Sequence, residues 1–325
     1  MLTSGALALL MMPVVTVGPA SAVLPLPEYV PCPVAEVGTP PVRLEPPASP
    51  PNFAPGERRV GGEALATAGL VVPPEAPPVP GERLSATSWL VADLDTGEVL
   101  GGCGPHEYGI PASTQKLLLA AALLDRLDPE SMVEVTEEDM GFEPGSSAVG
   151  LLVGGEYSVE TLWLGLLLNS GNDAANVLAR LGGGPDGVAG GLRLMNEEAR
   201  RLGAWQTHAV TPSGLDGPGQ FTSAYDLALI ARQLFDRPDF LRYVQTERTR
   251  IPPQPPRDPH GFEIQNQNRL LTEYPGALGG KTGYTDLVRH SFVGAAQRDG
   301  RRLVVTLLGA EATPLPGWAQ GAALL

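Results

Sequence analysis

The run Pro111-Ala112-Ser113-Thr114-Gln115-Lys116, continued by the apolar stretch Leu117 to Leu124, marks a helix that should lie at the centre of the molecule. Pro is favoured at a first helical position. The residues after it are apolar on nearly every side, so the helix is expected to be buried on all faces. Ser113 and Lys116 are three residues apart, which on a helix brings both side chains to one face within reach of each other. Of the 22 cationic residues in the chain, 20 are Arg and only Lys116 and Lys281 are Lys. An ammonium can be made to lose its proton by burial or by a neighbouring cation, whereas a guanidinium cannot. A neutral amine beside a serine hydroxyl makes a nucleophile without histidine. The helix N-terminus also favours developing negative charge. An ordinary capping serine and a solvated lysine stem would leave the same residues, so the pair does not decide the matter alone.

Working outward, Trp89 to Leu94, then Asp95-Thr96-Gly97, then Glu98 to Leu100 reads as a hairpin around a glycine turn. The folded part is expected to begin near Ser88. Downstream, Ser158 opens a helical block over 159–168. That block breaks at Asn169-Ser170-Gly171-Asn172-Asp173 and resumes over 174–181. Ser, Gly and Asn are ordinary turn and cap residues, so the break carries little information by itself. Further helices are expected over 191–202 and 223–235, the latter opened by a capping-box pattern at Thr222 to Asp226. The character then changes. Gly279-Gly280-Lys281-Thr282-Gly283-Tyr284-Thr285 reads as a glycine-flanked strand that another backbone can approach closely. Residues 291–296 and 303–308, around Asp299-Gly300, read as a second hairpin.

Composition narrows the function. A formal charge of −14 speaks against a nucleic-acid partner, which needs a basic footprint. Residues 1–22 read as a secretory leader, with an apolar run over 6–17 ending in Ala20-Ser21-Ala22, although no Lys or Arg precedes the run. From 23 to about 81 the chain carries nearly half of its 34 prolines and reads as a semi-rigid spacer or a draped segment. The two cysteines, Cys32 and Cys103, would most simply pair in an exported protein, with two free thiols as the alternative. No closely spaced His, Glu or Cys set suggests a metal, and no cofactor is expected. There is no G-x-S-x-G motif. The scattered His106, His208, His260 and His290 read as surface or supporting residues.

Ser113-x-x-Lys116, Ser170-x-Asn172 and Lys281-Thr282-Gly283 stand in the order and spacing of the penicillin-recognising serine enzymes. From about Ser88 onward the chain resembles the D-alanyl-D-alanine carboxypeptidases among the low-molecular-mass penicillin-binding proteins, in an actinobacterial style. Thr211 to Leu215, Asn169 to Asn176 and Tyr274-Pro275-Gly276 strengthen the likeness. It implies an α+β fold of about five antiparallel strands drawn from both chain ends and flanked by helices. A helical subdomain over about 127–270 would be inserted in a domain spanning 82–325.

The resemblance also implies roles. Ser113 would attack the bond between the last two D-alanines of a peptidoglycan stem peptide, with Lys116 taking its proton and Ser170 relaying a proton to the leaving amine. Asn172 would hold the substrate amide and help fix Lys116. Lys281 and Thr282 would meet the terminal carboxylate, and Thr285 would share that task. The backbone N–H groups of Ser113 and Tyr284, the latter following Gly283, would form the oxyanion hole. β-Lactam antibiotics would block Ser113. Two features depart from the pattern. The family often carries an Arg just before the C-terminal helix, and no Arg follows Arg302 here, the corresponding place being near Gly317. The chain also stops at Ala322-Ala323-Leu324-Leu325 inside an apolar helical stretch, which leaves membrane association or a further domain open. A serine β-lactamase shares the three motifs, but its Glu-x-x-Leu-Asn signature is absent. A non-catalytic wall-binding scaffold would have no need of Ser113 and both lysines.

Overall fold

The computed structural model describes residues 29–37 and 61–325; the expected leader and much of the Pro-rich segment lie outside them. The first strand, β1 (Leu70–Val71), comes from the Pro-rich segment, and Pro73 and Pro74 soon after it cannot donate to a ladder. It is followed by β2 (Ser88–Asp93) and β3 (Val99–Cys103), the expected hairpin, with Asp93 Oδ1 accepting the N–H groups of Asp95 and Thr96 in the turn. A 3-10 turn over Ala112–Gln115 leads into the central helix α1 (Lys116–Leu123).

The helical part then runs through β4 (Met132–Glu134), β5 (Glu156–Ser158), α2 (Val159–Leu168), α3 (Asn172–Gly183), α4 (Gly187–Leu202), α5 (Ala224–Phe235) and α6 (Pro238–Val244). Ser158 and Ser223 cap α2 and α5 by accepting the N–H groups of Thr161 and Asp226. A small ribbon of β6 (Arg248–Ile251) and β7 (Phe262–Gln265) follows, then the short α7 (Leu270–Glu273). The chain returns to the sheet as β8 (Ala277–Thr285), β9 (Arg289–Arg298) and β10 (Arg301–Ala310), and closes with α8 (Gly317–Leu324).

The sheet has the order β1-β3-β2-β10-β9-β8, antiparallel at every pairing. It has one strand more than expected, because β1 pairs with β3 in the register Leu70↔Cys103. Alternate residues of the central strands enter two different cores. Leu90, Ala92, Val293, Ala295, Val304 and Leu308 face α1 and the helical layer. Trp89, Val91, Phe292, Val305 and Leu307 face a second cluster that is closed by Leu70, Val72, Val79, Trp318 and Leu324. A strand buried on both faces reads as a continuous apolar run, as β2 and β10 do. On the second face, Cys32 is disulfide-bonded to Cys103, with Cα atoms 5.8 Å apart.

Two helix starts differ from expectation. α3 begins at Asn172 because the Asp173 carboxylate takes the N–H groups of Val149, Gly150 and Leu151, so the break is confined to residues 169–171. α4 begins at Gly187, since Gly190 and Gly191 pack directly against the backbone of α3. Among the described residues no helix is long and apolar enough to cross a membrane.

Candidate active site

A cleft of about 390 Å³ opens between the edge strand β8 and the helical layer, and Ser113, Ser170, Asn172, Thr282, Gly283 and Tyr284 all line it. Ser113 sits in the first turn leading into α1, where Lys116 reaches back to it. The Lys116 ammonium lies 2.8 Å from Ser113 Oγ, 2.7 Å from Asn172 Oδ1 and 2.9 Å from the Ser213 carbonyl. Lys116 is fully buried. Burial first, and the Lys281 charge second, hold its pKa well below the ordinary lysine range, with Asp173 pulling weakly the other way. A neutral amine 2.8 Å from a serine hydroxyl can accept that hydroxyl's proton as the serine attacks.

The second lysine faces the second serine. Lys281 Nζ donates to Ser170 Oγ at 2.9 Å and to the Thr282 carbonyl at 2.7 Å, and burial pushes its pKa down to about 7. Ser170 lies in the break between α2 and α3 with φ 62°, a left-handed conformation that costs a non-glycine residue about 1–3 kcal/mol. Ala112, next to Ser113, is likewise left-handed at φ 46°. Both left-handed residues belong to the candidate site, and such conformations concentrate at functional sites.

Close backbone approaches fix the remaining geometry. A Cβ on Gly283 would collide with Ser291 Oγ and come within 2.8 Å of Ser113 N, so only glycine lets β8 lie against the Ser113 N–H. Ser291 Oγ in turn donates to the Pro111 carbonyl at 2.6 Å, tying β9 to the start of the helix. Gly214, at φ 89°, packs onto the Ala112 carbonyl where a side chain would clash, and so sets the neighbouring Ser213 carbonyl against Lys116.

The expected site residues meet in this one place, with two adjustments. The Lys281 ammonium is turned toward Ser170 and the Thr282 carbonyl, so its influence on an anion in the cleft is by charge at a distance. Thr285 donates its hydroxyl to Asp216 at 3.0 Å. Burial raises the Asp216 pKa and that hydrogen bond lowers it, while Glu143 and Asp286 raise it further.

Sequence reasoning missed three contributors. The Ser213 carbonyl accepts from Lys116, and Ser146 Oγ accepts from Asn172 Nδ2 at 2.9 Å. His290, read from the sequence as a surface or supporting residue, lines the cleft beside Pro316, Gly317 and Trp318. A backbone acceptor leaves no mark in residue type, and the signal for His290 lay only in its place one turn of chain beyond Lys281-Thr282-Gly283.

A buried lysine of lowered pKa poised on a serine, in a cleft between an antiparallel sheet and a helical layer, defines a serine peptidase of the penicillin-binding class. The chain belongs to the D-alanyl-D-alanine carboxypeptidase family, whose sequence model matches residues 74–312. It is similar to the D-alanyl-D-alanine carboxypeptidase DacB2 of Mycobacterium tuberculosis, 46% identical over 226 residues that cover 69% of this chain and 74% of the relative. To DacD of Escherichia coli it is 33% identical over 243 residues, 70% of this chain but only 59% of that longer protein. The solved structure of a D-alanyl-D-alanine carboxypeptidase from M. tuberculosis H37Rv superposes with a TM-score of 0.71 at 43% identity, covering 78% of this chain and 94% of that one. The Streptomyces K15 DD-transpeptidase superposes at 0.70 with 25% identity, covering 74% and 95%.

Proposed function

We propose that the protein is an exported serine D,D-carboxypeptidase that removes the terminal D-Ala from peptidoglycan stem peptides. The observation that carries this is the buried Lys116 amine 2.8 Å from Ser113 Oγ, its pKa held well below the ordinary lysine range by burial and by the second lysine. Ser113 Oγ attacks the carbonyl of the penultimate D-Ala as its proton passes to Lys116 Nζ. The negative charge that develops on the carbonyl oxygen is met by the N–H groups of Ser113 and Tyr284; such donors are worth about 3 kcal/mol each. The C–N bond breaks as the departing amine takes a proton through Ser170, which Lys281 holds in hydrogen-bond contact. Water, with Lys116 again as base, then cleaves the Ser113 ester and frees the shortened peptide.

Asn172, held between Lys116 and Ser146, presents its amide to the substrate backbone. Thr282 offers a hydroxyl to the terminal carboxylate. A β-lactam ring stands in for the dipeptide and leaves Ser113 acylated. Residues 1–22 act as the leader that brings the enzyme to the cell envelope, and the domain takes in β1 at Leu70–Val71, ahead of the expected boundary at 82.

The test is intact-protein mass after addition of benzylpenicillin, with Ser113→Ala alongside. A single persistent adduct that is absent in the variant supports the reading. Rapid loss of penicillin without a lasting adduct would replace it with a β-lactamase.

A further inference from the structure

A carboxypeptidase must recognise a free C-terminal carboxylate, and the groups so far placed in this cleft answer that need only in part. The Lys281 ammonium is directed to Ser170 and the Thr282 carbonyl, and Lys116 to Ser113, Asn172 and Ser213. Thr285 is bonded to an acidic group, Asp216. Among the described residues lining the cleft, His290 is the one basic side chain.

Its position suits an anion. His290 lies on β9 directly across the ladder from Tyr284 of β8, and the two rings are in contact, tilted by 48° with centroids 4.8 Å apart. The start of α8 lies beside the same side chain, where a Cβ on Gly317 would be 3.3 Å from His290 Cβ. The side chain thus sits, half-buried, beside Tyr284 and the start of α8, on the same wall as Thr282 and Gly283. The first N–H groups of a helix have no intrahelical acceptor and carry partial positive charge, so α8 adds to the attraction for an anion at this end.

The charged neighbours of His290 are few. Arg289 is paired with Glu311 at 3.2 Å, and α8 has no titratable side chain. Burial lowers the His290 pKa, Glu311 raises it and Arg289 lowers it. The neutral ring still carries one N–H donor, and a bound carboxylate draws a proton onto it.

We propose that His290, set against the N-terminus of α8, is a specificity-determining residue that receives the substrate's terminal carboxylate alongside Thr282. This rests on the carboxypeptidase reading, and the test separates the two. The probes are an acyl-D-Ala thioester whose leaving group ends in a free carboxylate and its methyl ester, which lacks the charge. The readout is the ratio of kcat/KM for acid over ester.

His290→Phe keeps an aromatic ring against Tyr284 and removes the donor. It should lower the ratio at least about tenfold, through the acid substrate alone. His290→Arg should restore the ratio, which a merely structural role for the histidine would not allow. A wild-type enzyme that turns over both thioesters, with the same ratio in the Phe variant, overturns this inference and leaves the carboxypeptidase reading intact. A wild-type enzyme that turns over neither, and forms no penicillin adduct on Ser113, overturns both.

Discussion

On the helical wall of the cleft, the polar atoms of the candidate site are held by one another. Lys116 has three hydrogen-bond partners, and Asn172 is bonded at both ends of its amide, to Lys116 and to Ser146. Lys116, Ser170 and Asn172 are all nearly inaccessible to solvent. On the strand wall opposite, Thr282 and His290 are only partly buried and Tyr284 is 49% exposed. The first wall is complete without a ligand, as a base must be if its pKa is to be set before the substrate arrives. The second is completed by the ligand. A substitution on the helical wall should therefore damage the rate of acylation, and one on the strand wall should damage recognition or the approach of the two walls.

The largest effect should come from Lys116→Arg. It keeps a long basic side chain but supplies a group that does not deprotonate, so a general base is lost. We expect benzylpenicillin acylation to fall by about 10²–10⁴-fold, measured by adduct formation over time. An Arg variant that acylates at the normal rate would mean that Lys116 acts by charge alone, and the division between the walls would collapse.

Gly283→Ala comes next. The added methyl meets Ser291 Oγ and the backbone N–H of Ser113, so β8 must move away from the nucleophile. A displacement of this kind costs about 10²-fold in rate even where no reacting group is changed. Stopped-flow acylation should show the loss while the melting temperature stays near the wild-type value. If melting falls and acylation does not, the contact supports the sheet and not the oxyanion hole.

Much of the helical wall was legible because its key pair is local. Ser113 and Lys116 meet within one turn, and helical spacing alone predicts it. The scarcity of lysine drew attention to Lys281, although its contact with Ser170 spans 111 residues and follows from no local rule. What could not be read has physical reasons. Ala112 and Ser170 adopt left-handed backbone that their residue types disfavour, and only the surrounding packing enforces it. The Ser213 carbonyl is a backbone group, common to every residue. β1 is hidden among prolines because pairing over two residues needs no strand-like pattern. His290 gained its place through strand register, since the pairing Tyr284↔His290 brings it to the cleft.

Lys281→Arg should have a smaller effect, seen in pH dependence. Acylation needs Lys116 neutral, so its rate rises with pH through the lowered Lys116 range. It also draws on the positive charge of Lys281, which is lost as pH rises through about 7, so the rate then declines. The two lysines interact, and the resulting bell belongs to the pair. Arginine keeps its charge throughout. The variant should retain the rising limb, lose the falling one, and be slower by about tenfold at its best because the planar fork fits the Ser170 contact less well. A falling limb that persists in the Arg variant would assign it to another group.

The smallest effect on the chemistry should come from Cys32→Ser, at the far side of the same sheet. Cys103 lies on β3, separated from β8 by β2, β10 and β9, and the disulfide closes a loop of 71 residues onto the Pro-rich segment. In the chain-entropy model such a loop contributes about 4 kcal/mol, mainly by restricting the unfolded chain. Its loss should lower the melting temperature by roughly 10 °C. The acylation rate at 25 °C should not change, because Ser291 and Gly283 join β8 and β9 to the nucleophile without involving β3. If acylation falls while melting holds, tension across the sheet sets the position of the strand wall, and the two walls are not independent.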